Sequence, residues 1–455
     1  MNNYDFKYAN TYLGYWNVPN IGRKVPGTLF VEKYSIRLEL FWNNVTHRDV
    51  RVILSATGYA YTELDNKKLC YYFVLKGLQL ISISWFGKHQ SQYKLDINYI
   101  CMSDKPRFSS NGILNCCIRT RLMDKWVWDY TQSSYSNLWP FKENDSIDFK
   151  YNSHPSLILY DSSLYNLYIK FGHGALMPNA SGFCMSTNSF LNLSLKKRHN
   201  FYDALDLTES IIWLLSLLWD NQFNPDFIEF RTTKNTFIYK QSARYSYKYR
   251  NVTNTNINTS ISDFDDGKLF SIIEKWFDIV NKERLSIGTF FETLYNEHIS
   301  PSSTIKNFVS VIDGLSKDIE VESDGCTKDV KKKHWFESLS KKIEDRLSRR
   351  ELNELKMAVL KESQKEIKVR FYSFCKKLQG FVPIILESDF CSKVIDTRNM
   401  ITHTKGVSNI VYSKEKYWEV SMCLEKIIQA YLLKAIGVPS TVAIKIVGEI
   451  KFDKE

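Results

Sequence analysis

"GTLFVEKYSIRLELFW", residues 27–42, carries two short runs in which apolar and polar side chains alternate. A period of two puts every second side chain on the same face of a pleated strand, so the stretch predicts two half-buried strands rather than a helix. The rhythm returns in "LCYYFVLKGLQLISISWFG" (69–87) around Gly77, and in "SLILYDSSLYNLYIKFG" (156–172) around the polar break Asp161–Ser163. Strand-length runs at this spacing, separated by turn residues from 14 to 195, predict a largely antiparallel sandwich or barrel-like domain. No fixed-period repeat is present, which argues against a propeller or solenoid. Aromatic residues make up 15% of the chain and suit a pleated surface, and Trp16, Trp42 and Trp85 are expected in its core.

Further along, the rhythm changes. "IIWLLSLLW" (211–219), preceded by Asp203, Asp206 and Glu209 and followed by Asp220, reads as a buried helix over 203–220. It is far shorter than the roughly 20 residues a membrane span needs. "DFIEFRT" and "TFIYKQSARYSYKY" (226–249) return to strand character. "NVTNTNINTSISDFDDG" (251–267) is rich in turn-favouring Asn, Thr and Ser, and the domain boundary is expected there, dividing 1–262 from 263–455. From Lys268 onward the apolar residues recur at helical spacing. Helices are expected over 268–281, over 302–320 with Ser302 or Ser303 as N-cap, over the charged stretch 334–378, over 385–404, and over 413–439 as the last long helix. In that last helix Trp418, Met422, Ile428, Leu432 and Ile436 form the expected apolar stripe. The fold class is therefore α+β: an N-terminal β-rich domain followed by an all-α bundle.

The net charge of +11 and pI near 8.9 permit attraction to nucleic acid or anionic lipid without establishing either. Nine cysteines lie scattered, with no C-x-x-C and no signal-peptide pattern at Met1–Asn10, so free thiols in a reducing cytoplasm are expected. A zinc site drawn from Cys101, Cys116, Cys117 or Cys184 stays open, although close ligand pairs usually need two to four intervening residues. No Walker A loop, G-x-S-x-G or H-E-x-x-H occurs, so nucleotide hydrolysis, serine esterase and zincin chemistry have no support. No cofactor is called for.

"DTRNMITHTKG", residues 396–406, concentrates the chemistry. Asn399 and His403 are i, i+4 and share a helix face, whereas Arg398 lies about 140° round from His403 at roughly 100° per residue. His403 sits near the expected helix end, where the dipole favours imidazolium. Histidine moves protons near neutral pH, arginine holds a phosphate, and asparagine can orient either. These parts suffice for RNA cleavage without a metal. The ribose 2′-OH is a built-in nucleophile, the His handles a proton, and the Arg offsets charge on the phosphorane-like transition state. One His cannot be base and acid on opposite sides of phosphorus, so a two-fold dimer would supply the second. The alternative is a solvated Arg beside a satisfied His, because so short a pattern recurs by chance in a chain with 8 His.

With a polar residue after its Arg and a long helix after its His, the motif resembles the RN-x-x-x-H form of ApeA-like HEPN ribonucleases. "GYWNVPNIGRKVPGTLFVEKYSIRLELF" (14–41) is similar to the N-terminal domain of that family, with G-x-W-x-x-P, then G-x-L, then an alternating strand. "LTESIIWLLSLLWDNQFNPDFIEF" (207–230) is similar to its late N-terminal helix and strand. The resemblance implies a β-rich sensor or regulatory domain joined to a HEPN bundle that dimerises. It also implies toxin-like cleavage of host RNA, with tRNA as the suggested substrate, in abortive infection set off by a phage-encoded trigger. Arg398, Asn399 and His403 take the catalytic positions, and Asp313, in "VIDGLSKDIE" (311–320), takes the place of an acidic support residue. Gly314 beside it is unusual in mid-helix.

Lys331, Lys332, Lys333, Lys341, Lys342, Arg346, Arg349 and Arg350 precede the motif, and Lys405 follows it. They read either as a solvated face interleaved with Glu and Asp or as an RNA backbone track, with His334 and Trp335 beside them for stacking. His173 in "GHG" reads as a turn residue. Two further functions compete with the ribonuclease. One is a non-catalytic dimer that binds RNA or protein while the β domain recognises a ligand. The other is a metal-dependent nuclease, for which no carboxylate cluster at suitable spacing is present.

Overall fold

Trp16 shows how the alternation of the first strands becomes a closed core. Along β1 (Asn10–Val18), Tyr12, Trp16 and Val18 are buried while Leu13 and Tyr15 face outward. β2 (Gly22–Val31) buries Val25, Leu29 and Val31, and β3 (Ile36–Trp42) buries Ile36, Leu38 and Leu40. β4 (Ser55–Leu64), β5 (Lys67–Phe86) and β6 (Gln90–Ser103) complete the run β3-β2-β1-β4-β5-β6, and β3 also pairs with β6, from Arg37↔Asp96 to Trp42↔Ser91. That last pairing closes six antiparallel strands into a barrel along residues 91–96 of β6. Phe73, Leu75, Tyr93, Leu95 and Ile97 join the inward residues of β1–β3, so the barrel is filled by side chains. Gly77 stands mid-way along β5 with φ +64, and a Cβ there would lie 2.5 Å from Cγ of Asn98. Only glycine takes that bend cheaply.

The structure is a computed structural model describing residues 10–18, 22–32, 35–42, 55–64, 67–86, 90–103, 111–127, 155–179, 182–220, 225, 227–241, 257–264, 266–296, 299–317, 367–403 and 411–452. Beyond the barrel, β6 hands its free edge to β12 (Thr236–Gln241), with Ile238↔Met102 in register. The sheet continues through β11 (Phe227–Thr232), β7 (Asn111–Arg119), β10 (Gly182–Asn200), β9 (Tyr165–Asn179) and β8 (Leu157–Asp161). α1 (Arg121–Trp126) packs on β10, and α2 (Phe201–Trp219) packs on β7 and β10. α2 is capped by Asn200, whose side chain accepts from the Asp203 N–H at 2.9 Å, and it ends at Asp220 in the left-handed region. Its interior Thr208, Ser210 and Ser216 are buried, and each hydroxyl donates to the carbonyl four residues back. The predicted helix over 203–220 is thus present, and no described helix is long and apolar enough to cross a membrane.

Among the described residues the further α-helices are α3 (Asp266–Tyr295), α4 (Pro301–Leu315), α5 (367–376), α6 (Phe390–His403), α7 (Tyr417–Ala435) and α8 (Ser440–Val447). The chain divides into two compact units: Met1–Glu274 with Tyr295–Glu297, and Lys275–Leu294 with His298–Glu455. In the second unit α4 packs on α6 and α7 around Phe308, Ile312, Val394, Ile427 and Leu432. Gly314 has a packing reason here: a Cβ would lie 2.1 Å from Oγ of Ser286 on α3.

Three expectations need correction. The N-cap of α4 is Ser300, ahead of Pro301 in the first turn, rather than Ser302 or Ser303; its hydroxyl accepts from the Ser303 N–H at 3.3 Å. α6 begins at Phe390, because Ile384–Leu386 forms β13 and pairs in parallel with β14 (Ile450–Phe452). α7 is followed by α8 and β14, and its residues Trp418 and Met422 are exposed, at 51% and 39%. The buried face of α7 runs instead through Tyr417, Val420, Leu424, Ile427 and Ile428.

Candidate active site

α6, "FCSKVIDTRNMITH", buries Phe390, Val394, Ile395 and Thr397, with Ile395 set about 160° round the helix from Thr397. Polar contacts add to this packing. Thr397, fully buried, donates to the Lys393 carbonyl at 2.7 Å and accepts from the Tyr412 N–H at 3.0 Å. Lys393 lies 3.1 Å from Glu387 and 3.1 Å from Asp389, with its ammonium over the Tyr412 ring. The Tyr412 hydroxyl donates to Glu387. Burial opposes the charge on Lys393, but the bonds from Asp389 and Glu387 outweigh it and raise its pKa. Burial, and then the bond to Glu387, drives the Tyr412 hydroxyl far above its usual range. Lys368 on α5 pairs with Asp396 at 2.8 Å.

The structure places Arg398 and Asn399 together on the last turns of this clamped helix. Both are half-buried, and Arg398 Nη1 donates to Asn399 Oδ1 at 3.1 Å. The Thr402 hydroxyl donates to the Arg398 carbonyl at 2.8 Å. Arg398 Nε is buried and has no acceptor among the described residues. His403 is the last residue of α6, and its side chain lies outside the described residues. The guanidinium is therefore oriented by a neighbouring amide and keeps a donor free, an arrangement suited to an anionic oxygen.

Asp313, on α4, accepts from Arg370 of α5. The sequence reading missed Arg370, Lys368, Glu387, Thr397 and Tyr412, since none belongs to a spaced motif and their contacts reach partners as far as 57 residues away. Lys331, Lys332, Lys333, Lys341, Lys342, Arg346, Arg349, Arg350 and Lys405, with His334 and Trp335, lie outside the described residues, as do the side chains of His173, Trp42, Trp85 and Cys184. Among the described residues no group of three His, Cys, Asp or Glu could hold a metal ion. Cys116 and Cys117 are neighbours on β7 and point to opposite faces, so they cannot share one ion. Burial pushes the thiols of Cys101, Cys116 and Cys117 up to about 12, making them poor ligands.

The Apea-like HEPN family model matches residues 306–442, from within α4 to the start of α8 and including the whole of α6. Over this part, less than a third of its length, the chain is similar to Apea-like HEPN domains, a family that suggests a nuclease-type role in defence. No curated protein and no solved structure matches the chain.

Proposed function

We propose that the chain is a metal-independent endoribonuclease of anti-phage defence, with Arg398, Asn399 and His403 as its catalytic residues. The supporting observation is the Arg398–Asn399 hydrogen bond on α6, which leaves a buried Nε donor without an acceptor among the described residues. In this reading Arg398 binds the scissile phosphate and offsets the charge gained in the transition state. His403 takes the 2′-OH proton or gives one to the 5′-oxygen, and Asn399 keeps the guanidinium aimed. A homodimer facing two α6 helices together supplies the second histidine. Residues 1–262 act as the sensor or regulatory part, answering a phage-encoded trigger, and 263–455 as the ribonuclease. Host RNA, with tRNA foremost, is the substrate. Asp313, through Arg370, supports the bundle around the site.

The test sequences RNA ends from cells producing the wild-type chain or His403→Ala, and repeats the cleavage with purified chain and EDTA. New RNA ends that appear only with the wild-type chain and persist in EDTA support the reading. Equal cleavage by His403→Ala overturns it, and so does stable RNA binding without cleavage by the triggered chain.

A further inference from the structure

The second unit contains a pair of thiols that the proposed chemistry does not use. Cys375 is in the last turn of α5 and Cys391 in the first turn of α6, and the Cys391 thiol donates to the Cys375 sulfur at 3.9 Å. Both are free. They are sixteen positions apart in sequence, and packing of the two helices brings them together. Their exposure differs: Cys375 is buried, while Cys391 is half-exposed. A third thiol, Cys423 on α7, is buried and close enough for its charge to act on Cys375 and for the charge of Cys391 to act on it.

We propose that Cys391 and Cys375 form an oxidisable pair that a hydroperoxide converts into a disulfide, tying the first turn of α6 to the last turn of α5. The half-exposed thiol meets the oxidant and the buried one resolves it. The Cys391 thiolate attacks a peroxide oxygen, an S–O bond forms, the O–O bond breaks, and the departing hydroxide or alkoxide takes up a proton. Cys375 then attacks the sulfenic sulfur. The S–S bond forms as the S–O bond breaks, and the released hydroxide leaves as water with the Cys375 proton. Two thiols lose two electrons, and the peroxide gains them.

A disulfide needs the sulfurs at about 2.05 Å, so they must close from 3.9 Å. Both residues sit at helix ends, where the backbone is least constrained by intrahelical bonds. The Cys391 contact, and then burial, hold the Cys375 thiol well above its usual range, so resolution speeds up as the pH rises. Cys423 is driven up to about 12 by burial and is a poor competitor for the sulfenic acid. In the first unit Cys101, Cys116 and Cys117 are buried, and Cys70 is half-exposed like Cys391. The cross-link anchors one end of the helix whose other end carries Arg398 and Asn399, but its formation does not depend on RNA cleavage.

The full-length chain is treated with hydrogen peroxide, blocked with N-ethylmaleimide, digested without reductant and mapped by mass spectrometry. The expected product is a linked peptide pair containing Cys375 and Cys391, reversed by dithiothreitol and accompanied by a higher Tm of the oxidised chain. In Cys375→Ser the sulfenic acid at Cys391 accumulates and is captured by dimedone. The proposal is overturned if wild-type Cys391 stays open to maleimide after peroxide. It is equally overturned if Cys391 passes to sulfinic acid without a cross-link, or if the main link joins Cys391 to Cys423. Mapping the wild-type chain decides the matter even where a variant fails to fold.

Discussion

The barrel interior and the surroundings of α6 are stabilised by opposite means. Inside the barrel, Trp16, Leu29, Leu38, Phe73 and Leu95 meet in a dry core, and ladder hydrogen bonds satisfy the backbone. Burial there is non-directional, so many apolar sequences would fill the space. α6 buries Phe390, Val394 and Ile395, and polar contacts from Glu387, Lys393, Thr397, Tyr412 and Lys368 add directional constraints to that packing. Directional contacts define one rotation and one depth of the helix, which is what a side chain such as Arg398 needs if it is to meet a phosphate. The comparison separates a region built to be stable from one built to hold a geometry.

The largest effect expected is on activity. Arg398→Ala should lower RNA cleavage by about 10²–10³-fold, as for loss of one transition-state donor, while leaving the unfolding midpoint nearly unchanged. A large stability loss would mean that Arg398 belongs to the clamp and not to the site. Leu38→Ala should cost about 2–5 kcal/mol through an unfilled cavity in the barrel, without altering the unfolding of the helical unit. Glu387→Ala leaves the Tyr412 hydroxyl without its acceptor and Lys393 with Asp389 alone, and should cost about 1–3 kcal/mol, read from urea unfolding of the second unit. If that change is harmless, the clamp is not what holds α6. Thr397→Val keeps the shape but leaves the Tyr412 N–H without its acceptor, for about 1–3 kcal/mol.

The smallest effect is pH-dependent. Cys101, Cys116 and Cys117 are raised by burial from 9.0 to about 12, so folding keeps them protonated where the unfolded chain ionises. Their contribution is complete below pH 9.0 and is lost as the pH rises toward about 12. Tryptophan-detected unfolding on the alkaline side should show a falling midpoint, and replacing Cys116 by Ala should reduce the slope.

Much of the architecture was legible in the chain. Alternation in 27–42 and 69–87 pointed to β2, β3 and β5, and the apolar run at 211–219 to α2. Closure of the barrel was not legible, because the β3–β6 pairing joins residues 49 to 59 positions apart, and no local pattern encodes it. The start of α6 was misplaced for a similar reason. Ile384–Leu386 are apolar enough for a helix, and only the pairing with Ile450–Phe452 makes them a strand. On α7, Trp418 and Met422 matched the helical period but fell on the outer face, since the helix is apolar on more than one side.

For the candidate site, the sequence by itself supplied the groups we propose to react. Arg398, Asn399 and His403 are close in the chain, and helical geometry alone relates them. The tertiary structure decided what holds the helix that carries them. It joined Glu387, Lys393, Thr397 and Tyr412 into one clamp and paired Asp313 with Arg370. Hydrogen bonds and ion pairs act over about 3 Å, whereas their partners lie up to 57 residues apart in the chain, so only folding brings them within reach.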